Sequence, residues 1–339
     1  MKKLLTVLLV LTVASSLAFA GGGQQGGGSG GVTKGMDRKI VMGYSQIGAE
    51  SEWRTACTNS VKAAAADFNI ELIFSDAQQK QENQLQAIRS FIRQKVDVIA
   101  FTPVVSTGWE AILQECKDAG IPTICVDRTV EAPNTLYDVY IGSDIKAEGV
   151  KAAKWMVDYM KSTGNTRGKD DGNRTINIVE LQGTVGSAAA TDRQIGFKEE
   201  LAKYPNYKII KSQTGNFTRA EGLQVMEAWM KAPDAGEIDV LFAHNDDMAI
   251  GAIDAIKAAG KKPATDIIII SVDAVKGAFE AMLRKELNAT IECNPLLGPQ
   301  IMETGIKLVQ KQPVQKWIPS IEGQYDWTTA EAAYPSRQY

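Results

Sequence analysis

The chain has 339 residues, four cysteines, one histidine and a formal net charge of −3 at pH 7. This mildly acidic balance argues against nucleic acid and anionic membrane surfaces as main partners, and one histidine with scattered cysteines cannot form a standard zinc site. The length exceeds the usual size of one hydrophobic core, which predicts two domains.

The first 20 residues have the pattern of a secretory signal peptide. Lys2 and Lys3 form a positive n-region, an apolar stretch spans residues 4–13, and Ala18-Phe-Ala20 matches the small-x-small cleavage pattern. This stretch is shorter than the roughly 20 residues of a membrane span, so we expect cleavage after Ala20 and no membrane insertion of the mature protein. Residues 21–36, rich in glycine, are predicted to be a flexible linker.

The first half of the folded part alternates between strand-like and helix-like segments. Strands are predicted at residues 39–44, 70–74, 96–101, 121–126 and 139–141. Ser51 is a candidate cap for a helix that carries Trp53, Cys57 and Phe68 at helical spacing. Further helices are predicted at 82–94 and 109–119, where Gly120 ends the second one.

The same alternation begins again in the second half. Strands are predicted at 176–181, 207–210, 240–243, 267–270 and 289–291, with helices at 188–204, 219–231, 248–259 and 277–285. Short strands that alternate with helices of this length indicate βαβ units and parallel sheets. The predicted fold class is therefore α/β, with two doubly wound parallel-sheet lobes.

Polar side chains follow most of the predicted strands. In an open parallel sheet, ligands bind beyond the carboxyl ends of the strands, and here these positions carry Ser45, Gln46, Asp76, Thr102, Asp127, Arg128, Ser143, Asp144, Gln182, Thr214, Asn245, Asp246, Asp273 and Asn294. Sugar hydroxyls both donate and accept hydrogen bonds, which planar Asp, Asn, Gln and Arg groups address in pairs. Trp53 and Phe217 lie at loop-to-helix starts, where an aromatic face can contact the sugar ring.

Each candidate also has a structural interpretation. Trp53 could belong to the core, Arg193 could be solvated, and Asn245 and Asp273 could cap helices. Enzymatic alternatives have less support, because no nucleophile-elbow, Walker A or dinucleotide-binding pattern occurs in the predicted fold. The adjacent carboxylates Asp246 and Asp247 are more simply explained as caps beside a helix start than as a glycosidase pair. We therefore predict no catalytic residue, no metal and no cofactor.

Eight segments of the chain resemble one family, the periplasmic sugar-binding proteins of the type I, ribose-binding class, and most closely its galactofuranose-binding subgroup. They are Ala49-Glu-Ser-Glu-Trp-Arg54, Asp76-Ala-Gln-Gln-Lys-Gln-Glu-Asn83, Pro103-Val-Val-Ser-Thr-Gly-Trp109, Cys125-Val-Asp-Arg128, Glu180-Leu-Gln-Gly-Thr-Val-Gly186, Thr191-Asp-Arg193, Gly215-Asn-Phe-Thr-Arg219 and Ala243-His-Asn-Asp-Asp-Met248. The resemblance implies a sugar between Trp53 and Phe217. It further implies ligand contacts from Glu50, Ser51, Arg54, Asp127, Arg128, Arg193, Asn245, Asp273 and Asn294.

The resemblance also implies how the lobes are joined and what the protein does. Three crossovers, near Asp144, Asn294 and Pro319, form a hinge; the N-terminal lobe is then 37–143 plus 295–318 and the C-terminal lobe 144–294 plus 319–339. We expect a monomeric periplasmic protein that closes on a monosaccharide for an ABC-type permease in the inner membrane. Two alternatives stay open: a sugar sensor for a chemoreceptor or sensor kinase, and a secreted carbohydrate-active enzyme.

The four cysteines do not form the pattern of a disulfide scaffold. Cys57 shares a helical stripe with apolar residues, so a buried thiol is the simpler interpretation. Cys116 with Cys125 is the one pairing that a helix and its following strand could bring together. The related proteins carry a disulfide in the second lobe, whereas the corresponding predicted strands contain no cysteine here.

Overall fold

The structure is a computed structural model that describes residues 38–339. The predicted signal peptide and glycine-rich linker lie outside the described residues. Within residues 38–339, no helix is both long and apolar enough to cross a membrane. The elements below are numbered in chain order.

The first sheet has six parallel strands in the order β2-β1-β3-β4-β5-β11. They are β1 (Val41–Gln46), β2 (Glu71–Asp76), β3 (Val98–Phe101), β4 (Thr123–Val126), β5 (Val139–Gly142) and β11 (Trp317–Pro319). Helices α1 (Glu52–Asp67), α2 (Gln81–Gln94), α3 (Glu110–Asp118) and α9 (Gly298–Val309) flank it. Two apolar clusters cover it: Met42 and Ile301 belong to one, Phe101 and Trp109 to the other.

The second sheet has the order β7-β6-β8-β9-β10-β12 and is parallel except for its last pair. Its strands are β6 (Ile176–Gln182), β7 (Tyr207–Thr214), β8 (Val240–Ala243), β9 (Ile268–Asp273), β10 (Ala289–Glu292) and β12 (Gln324–Asp326). Its helices are α4 (Ile145–Ser162), α5 (Ala188–Leu201), α6 (Arg219–Met230), α7 (Asp246–Ala258), α8 (Lys276–Leu283) and α10 (Ala330–Ala333). The predicted two-lobed α/β fold is confirmed.

The chain passes between the two sheets three times. It leaves the first sheet after β5, returns through α9 after β10, and crosses again between β11 and β12. Helix α9 packs on the first sheet, since Leu297 and Ile306 belong to the same apolar cluster as Met42. The residue boundaries of the two domains stay a prediction.

Helices α4 and α10 and strands β11 and β12 were not predicted from the sequence. Helix α4 is 18 residues long and buries Ala152, Met156 and Met160 against the second sheet. Strands β11 and β12 have only three residues each, and they form one edge of each sheet. All four cysteines are free and buried, so Cys116 and Cys125 are not joined.

Candidate ligand-binding cleft

A small cavity lies between the carboxyl ends of the two sheets. Its lining residues are Glu50, Ser51, Trp53, Arg54, Asp127, Arg128, Ala189, Arg193, Phe217, Asn245, Asp273 and Cys293. Ten of the eleven predicted site residues are therefore brought together at one place. The free volume is about 20 Å³, room for about one water molecule, so the cavity in this structure is too small for a monosaccharide.

Arg54 organises the wall that the first lobe contributes. It follows Ser51, whose side chain accepts a hydrogen bond from the Arg54 backbone N–H and caps α1. Its Nε donates to Glu50 Oε1 at 3.0 Å and its Nη2 to Asp127 Oδ2 at 2.7 Å. Burial alone would lower the pKa of Arg54, but the charges of these two carboxylates raise it well above its ordinary value. The guanidinium is therefore fixed and charged.

Several polar atoms on this wall are buried without a hydrogen-bond partner. They are Glu50 Oε2, Arg54 Nη1 and Arg128 Nε. The side chains of Glu50, Arg54 and Arg128 are each 3% exposed. Burial, followed by the charge of Arg54, lowers the pKa of Arg128 to about 10. Because an unpaired buried polar group costs about 1–3 kcal/mol, this wall gains free energy from any ligand that supplies hydrogen bonds.

Arg193 organises the opposite wall. Its Nε donates to Glu148 Oε2 at 2.7 Å, its Nη1 to the His244 carbonyl at 2.5 Å, and its Nη2 lies 3.6 Å from Asp273 Oδ1. Burial raises the pKa of Glu148 to about 7 and that of Asp273 well above its ordinary value. Two buried carboxyl groups thus share one guanidinium.

A close helix contact positions this arginine. The backbones of α4 and α5 approach at Gly149, where an added Cβ would lie 2.1 Å from the Arg193 carbonyl oxygen. The contact brings Glu148, one residue earlier on α4, beside the Arg193 side chain. Glycine at this position is therefore a packing requirement of the site.

Two aromatic side chains, one from each lobe, complete the lining. The indole N–H of Trp53 donates to the Cys293 carbonyl oxygen at 2.6 Å, and the Arg54 guanidinium lies 4.6 Å from the Trp53 ring centre. Phe217 lies over Gly183, where an added Cβ would be 1.9 Å from the ring. Arg128 lies 5.1 Å from the Phe217 ring centre. Both rings are nearly buried, Trp53 at 3% and Phe217 at 4% exposed.

Three lining residues have left-handed backbone conformations that are rare for residues other than glycine. The φ angles are 65° at Asp127, 64° at Phe217 and 124° at Asp273. Asp adopts this region more readily than most residues, whereas a bulky residue such as Phe217 is a genuine outlier there. Strained residues of this kind concentrate at ligand sites, so the backbone of Phe217 supports a role beyond packing.

The structural alternatives for Asn245 and Asp273 have different outcomes. Asn245 does cap α7, accepting from the Met248 backbone N–H at 3.0 Å, and its Nδ2 donates to the Phe217 carbonyl at 3.0 Å. Asp273 does not cap α8; the backbone N–H at the start of that helix, Val275 N, donates to Asp246 Oδ2 at 2.9 Å. Asn245 therefore combines capping with lining the cavity, and Asp273 faces Arg193.

Asn294 is the predicted site residue that does not line the cavity. Its Oδ1 accepts from the Leu296 backbone N–H at 2.9 Å, and its Nδ2 points to the Ile321 carbonyl at 3.5 Å. The residue lies in the second crossover, and its side chain stabilises the hinge in the structure. A direct contact between Asn294 and the ligand stays a prediction.

Sequence reasoning missed a cluster at the hinge that supports the site. Ser143 donates to Glu322 and lies 3.3 Å from Cys293 Sγ and 3.1 Å from Ser320 Oγ. Residues from all three crossovers therefore meet at this point. Sequence reasoning also missed Glu148, the partner of Arg193. The Asp144 cap and the apolar spacing of α4 indicate the helix that carries this residue.

Comparison with known proteins finds the same fold and subgroup. Residues 42–313 match the family described as periplasmic binding protein domain. The galactofuranose-binding protein YtfQ of Escherichia coli (strain K12) is 46% identical over 263 residues, which are 77% of this chain and 79% of that protein.

Two solved structures extend the comparison to bound sugars. A protein from Mycobacterium smegmatis in complex with β-D-fucofuranose is 48% identical, with a TM-score of 0.82 over 88% of this chain and 95% of that one. The arabinose-transporter binding protein of Shewanella sp. ANA-3, bound to α- and β-L-arabinofuranose, is 44% identical, with a TM-score of 0.82 over 88% of this chain and 96% of that one.

Proposed function

The chain belongs to the periplasmic binding protein family, and from that premise we propose that it captures a furanose-form aldose such as galactofuranose for import by an ABC transporter. The proposed contacts are Glu50, Ser51, Trp53, Arg54, Asp127, Arg128, Arg193, Phe217, Asn245 and Asp273. Delivery to an inner-membrane permease, a monomeric state and the absence of catalytic turnover belong to the same proposal.

The observation that carries this function is a set of unpartnered polar atoms on residues that line the same cavity as two aromatic side chains. Glu50 Oε2 can accept a hydrogen bond, while Arg54 Nη1 and Arg128 Nε can donate. A ligand that satisfies all three must both donate and accept at neighbouring positions, as vicinal hydroxyl groups do. Apolar C–H faces of the sugar suit the rings of Trp53 and Phe217.

The furanose form is supported by the relatives. The Escherichia coli relative is named for galactofuranose, and the two solved structures hold fucofuranose and arabinofuranose. These three sugars share a five-membered ring but differ in their exocyclic groups. We therefore propose ring form as the shared recognition feature.

Hinged closure is the mechanism that we propose for capture. The walls come from different lobes, so a sugar that touches both stabilises the closed state by its differential contacts. The free volume of about 20 Å³ supports entry through an open state, because a monosaccharide does not fit between the lobes in this arrangement. Secretion by cleavage after Ala20 would deliver the protein to the periplasm.

A calorimetric titration of the mature protein tests the proposal. D-Galactose, D-fucose and L-arabinose should bind at micromolar or tighter dissociation constants, about 8 kcal/mol of binding free energy, and incubation should leave each sugar chemically unchanged. A six-membered-ring aldose that forms little furanose in solution, such as D-glucose, should bind far more weakly. Equal affinity for D-glucose would contradict furanose recognition, and turnover would favour an enzyme.

A further inference from the structure

The two lobes meet a second time outside the ligand cavity. A groove of about 1080 Å³ runs along the outer side of the lobe junction, lined by α1 from the first lobe and by Arg219, Asp247 and Lys276 from the second. Glu50 and Ser51 line both this groove and the inner cavity. Glu50 and Ser51 therefore lie between the two spaces, at the entrance of the cleft.

At this entrance, Asp247 forms hydrogen bonds with residues of both lobes. Its Oδ2 accepts a hydrogen bond from the Glu52 backbone N–H at 2.7 Å, and its Oδ1 accepts from Arg219 Nε at 3.2 Å and Nη2 at 2.9 Å. Arg219 Nη2 also donates to Glu52 Oε1 at 2.9 Å. None of these three residues lines the inner cavity.

Only some of these contacts cross between the lobes. Glu52 begins α1 on the first sheet, whereas Arg219 begins α6 and Asp247 lies in the first turn of α7, both on the second sheet. Separation of the lobes breaks the Glu52–Asp247 and Glu52–Arg219 bonds. The Arg219–Asp247 pair lies within one lobe and persists. It therefore keeps the Asp247 carboxylate in position when the lobes close again.

We propose that Glu52, Arg219 and Asp247 form a latch that stabilises the closed state without touching the sugar, and thereby sets how long the ligand is retained. The inference rests on the proposed function, because retention matters only if closure captures a ligand. Its residues are positioning residues, since they act on the ligand through the lobes.

The two bonds of the latch that join the lobes contribute unequally to the stability of the closed state. The Asp247 side chain is 6% exposed, and its charge faces the positive end of α1 as well as that of its own helix. Arg219 and Glu52 are 45% and 48% exposed, so water screens their ion pair. The Asp247–Glu52 backbone bond therefore contributes most of the stabilisation of the closed state.

The test compares three variants by stopped-flow fluorescence, with D-galactose as the probe and Trp53 as the reporter. Asp247→Ala should increase the dissociation rate constant about tenfold, the ratio for a charge-assisted bond near the low end of its range. Glu52→Ala keeps the backbone bond and should increase it only about twofold. Association rate constants should change little. The matched control is Arg89→Ala, which removes an exposed ion pair with Glu115 within the first lobe and should change neither rate constant.

A measurement on the sugar-free protein tests the latch independently of the proposed function. Small-angle scattering of the sugar-free protein should show a larger radius of gyration for Asp247→Ala than for the wild type and for Arg89→Ala. Unchanged dissociation rates and an unchanged radius of gyration in Asp247→Ala would overturn the latch. A wild type that binds none of the three furanose-forming sugars would overturn the proposed function, while the scattering comparison would still decide the latch. If Asp247→Ala fails to fold, the half-exposed Glu52→Ala variant decides it through the same measurements.

Discussion

The arginines on the two walls of the cavity differ in their hydrogen-bond partners. On the first-lobe wall, Arg54 and Arg128 each keep a buried nitrogen without a hydrogen-bond partner. On the second-lobe wall, Arg193 reaches Glu148, the His244 carbonyl and Asp273. On the first wall the unpartnered atoms belong to residues that line the cavity, whereas on the second wall Glu148 Oε1 and His244 Nδ1 belong to residues behind the lining.

This difference predicts on which wall a mutation lowers sugar affinity and on which wall it lowers the free energy of unfolding. A ligand gains most where it relieves unpaired buried groups, because each of them costs free energy in the empty protein. A mutation loses most where it removes the partner of buried charges. Variants on the first wall should thus weaken binding, and variants on the second wall should weaken folding.

Arg193→Ala should have the largest effect. It leaves the buried carboxyl groups of Glu148 and Asp273 without their shared guanidinium, and each unpartnered buried group costs about 1–3 kcal/mol. Chemical denaturation should show this loss in the free energy of unfolding. A loss below about 1 kcal/mol, comparable with a surface pair, would place Arg193 with the first wall and break the comparison.

The second wall should also show a pH dependence of stability. Burial raises the pKa of Glu148 from 4.5 to about 7, so the folded state binds its proton more tightly than the unfolded chain does. This contribution is fully present below pH 4.5 and is lost as the pH rises to about 7, up to about 3 kcal/mol. The difference in unfolding free energy between wild type and Glu148→Gln should therefore fall across this range. A constant difference would contradict the assignment.

Asp127→Asn should weaken sugar affinity at least about tenfold, because it removes a charged bond worth about 1.5–3 kcal/mol. Asparagine tolerates the left-handed backbone of this position, so the fold should be retained, and Arg54 keeps Glu50 as a partner. Asp127→Ala should weaken affinity at least as much. Calorimetry is the measurement; an unchanged affinity in both variants would remove Asp127 from the site.

Asn294→Ala should have the smallest effect, a change in affinity of less than about twofold, because its side chain contacts the hinge and not the cavity. A hinge hydrogen bond contributes only about 0.5–1.5 kcal/mol, shared between the open and closed states. A tenfold loss by calorimetry would instead support the direct ligand contact that was predicted for Asn294.

Most residues of the candidate site could be predicted from the sequence because the ends of the strands are visible in it. Asp127, Arg128, Asn245 and Asp273 follow clear apolar strands, and the topology of parallel sheets brings such positions to one edge. Phe217 and Arg193 needed the family resemblance, since loop and helix positions alone do not reveal which way a side chain faces. The structure brings all six to the cavity.

What the sequence could not reveal depends on contacts between distant segments. Asn294 follows β10 as the rule requires, but the third crossover, which supplies Ile321 and Glu322, draws it into the hinge. Strands β11 and β12 are too short for periodicity to detect. Helix α4 was detectable, and its omission also removed Glu148, the partner of Arg193, from consideration.

A crystal structure of the protein grown with D-galactose would show both the ring form of the bound sugar and its position. We expect electron density for a five-membered ring between Trp53 and Phe217, with its hydroxyl groups within hydrogen-bond distance of Glu50, Arg54, Asp127 and Arg128. Density for a six-membered ring, or for a sugar bound outside this cavity, would contradict it.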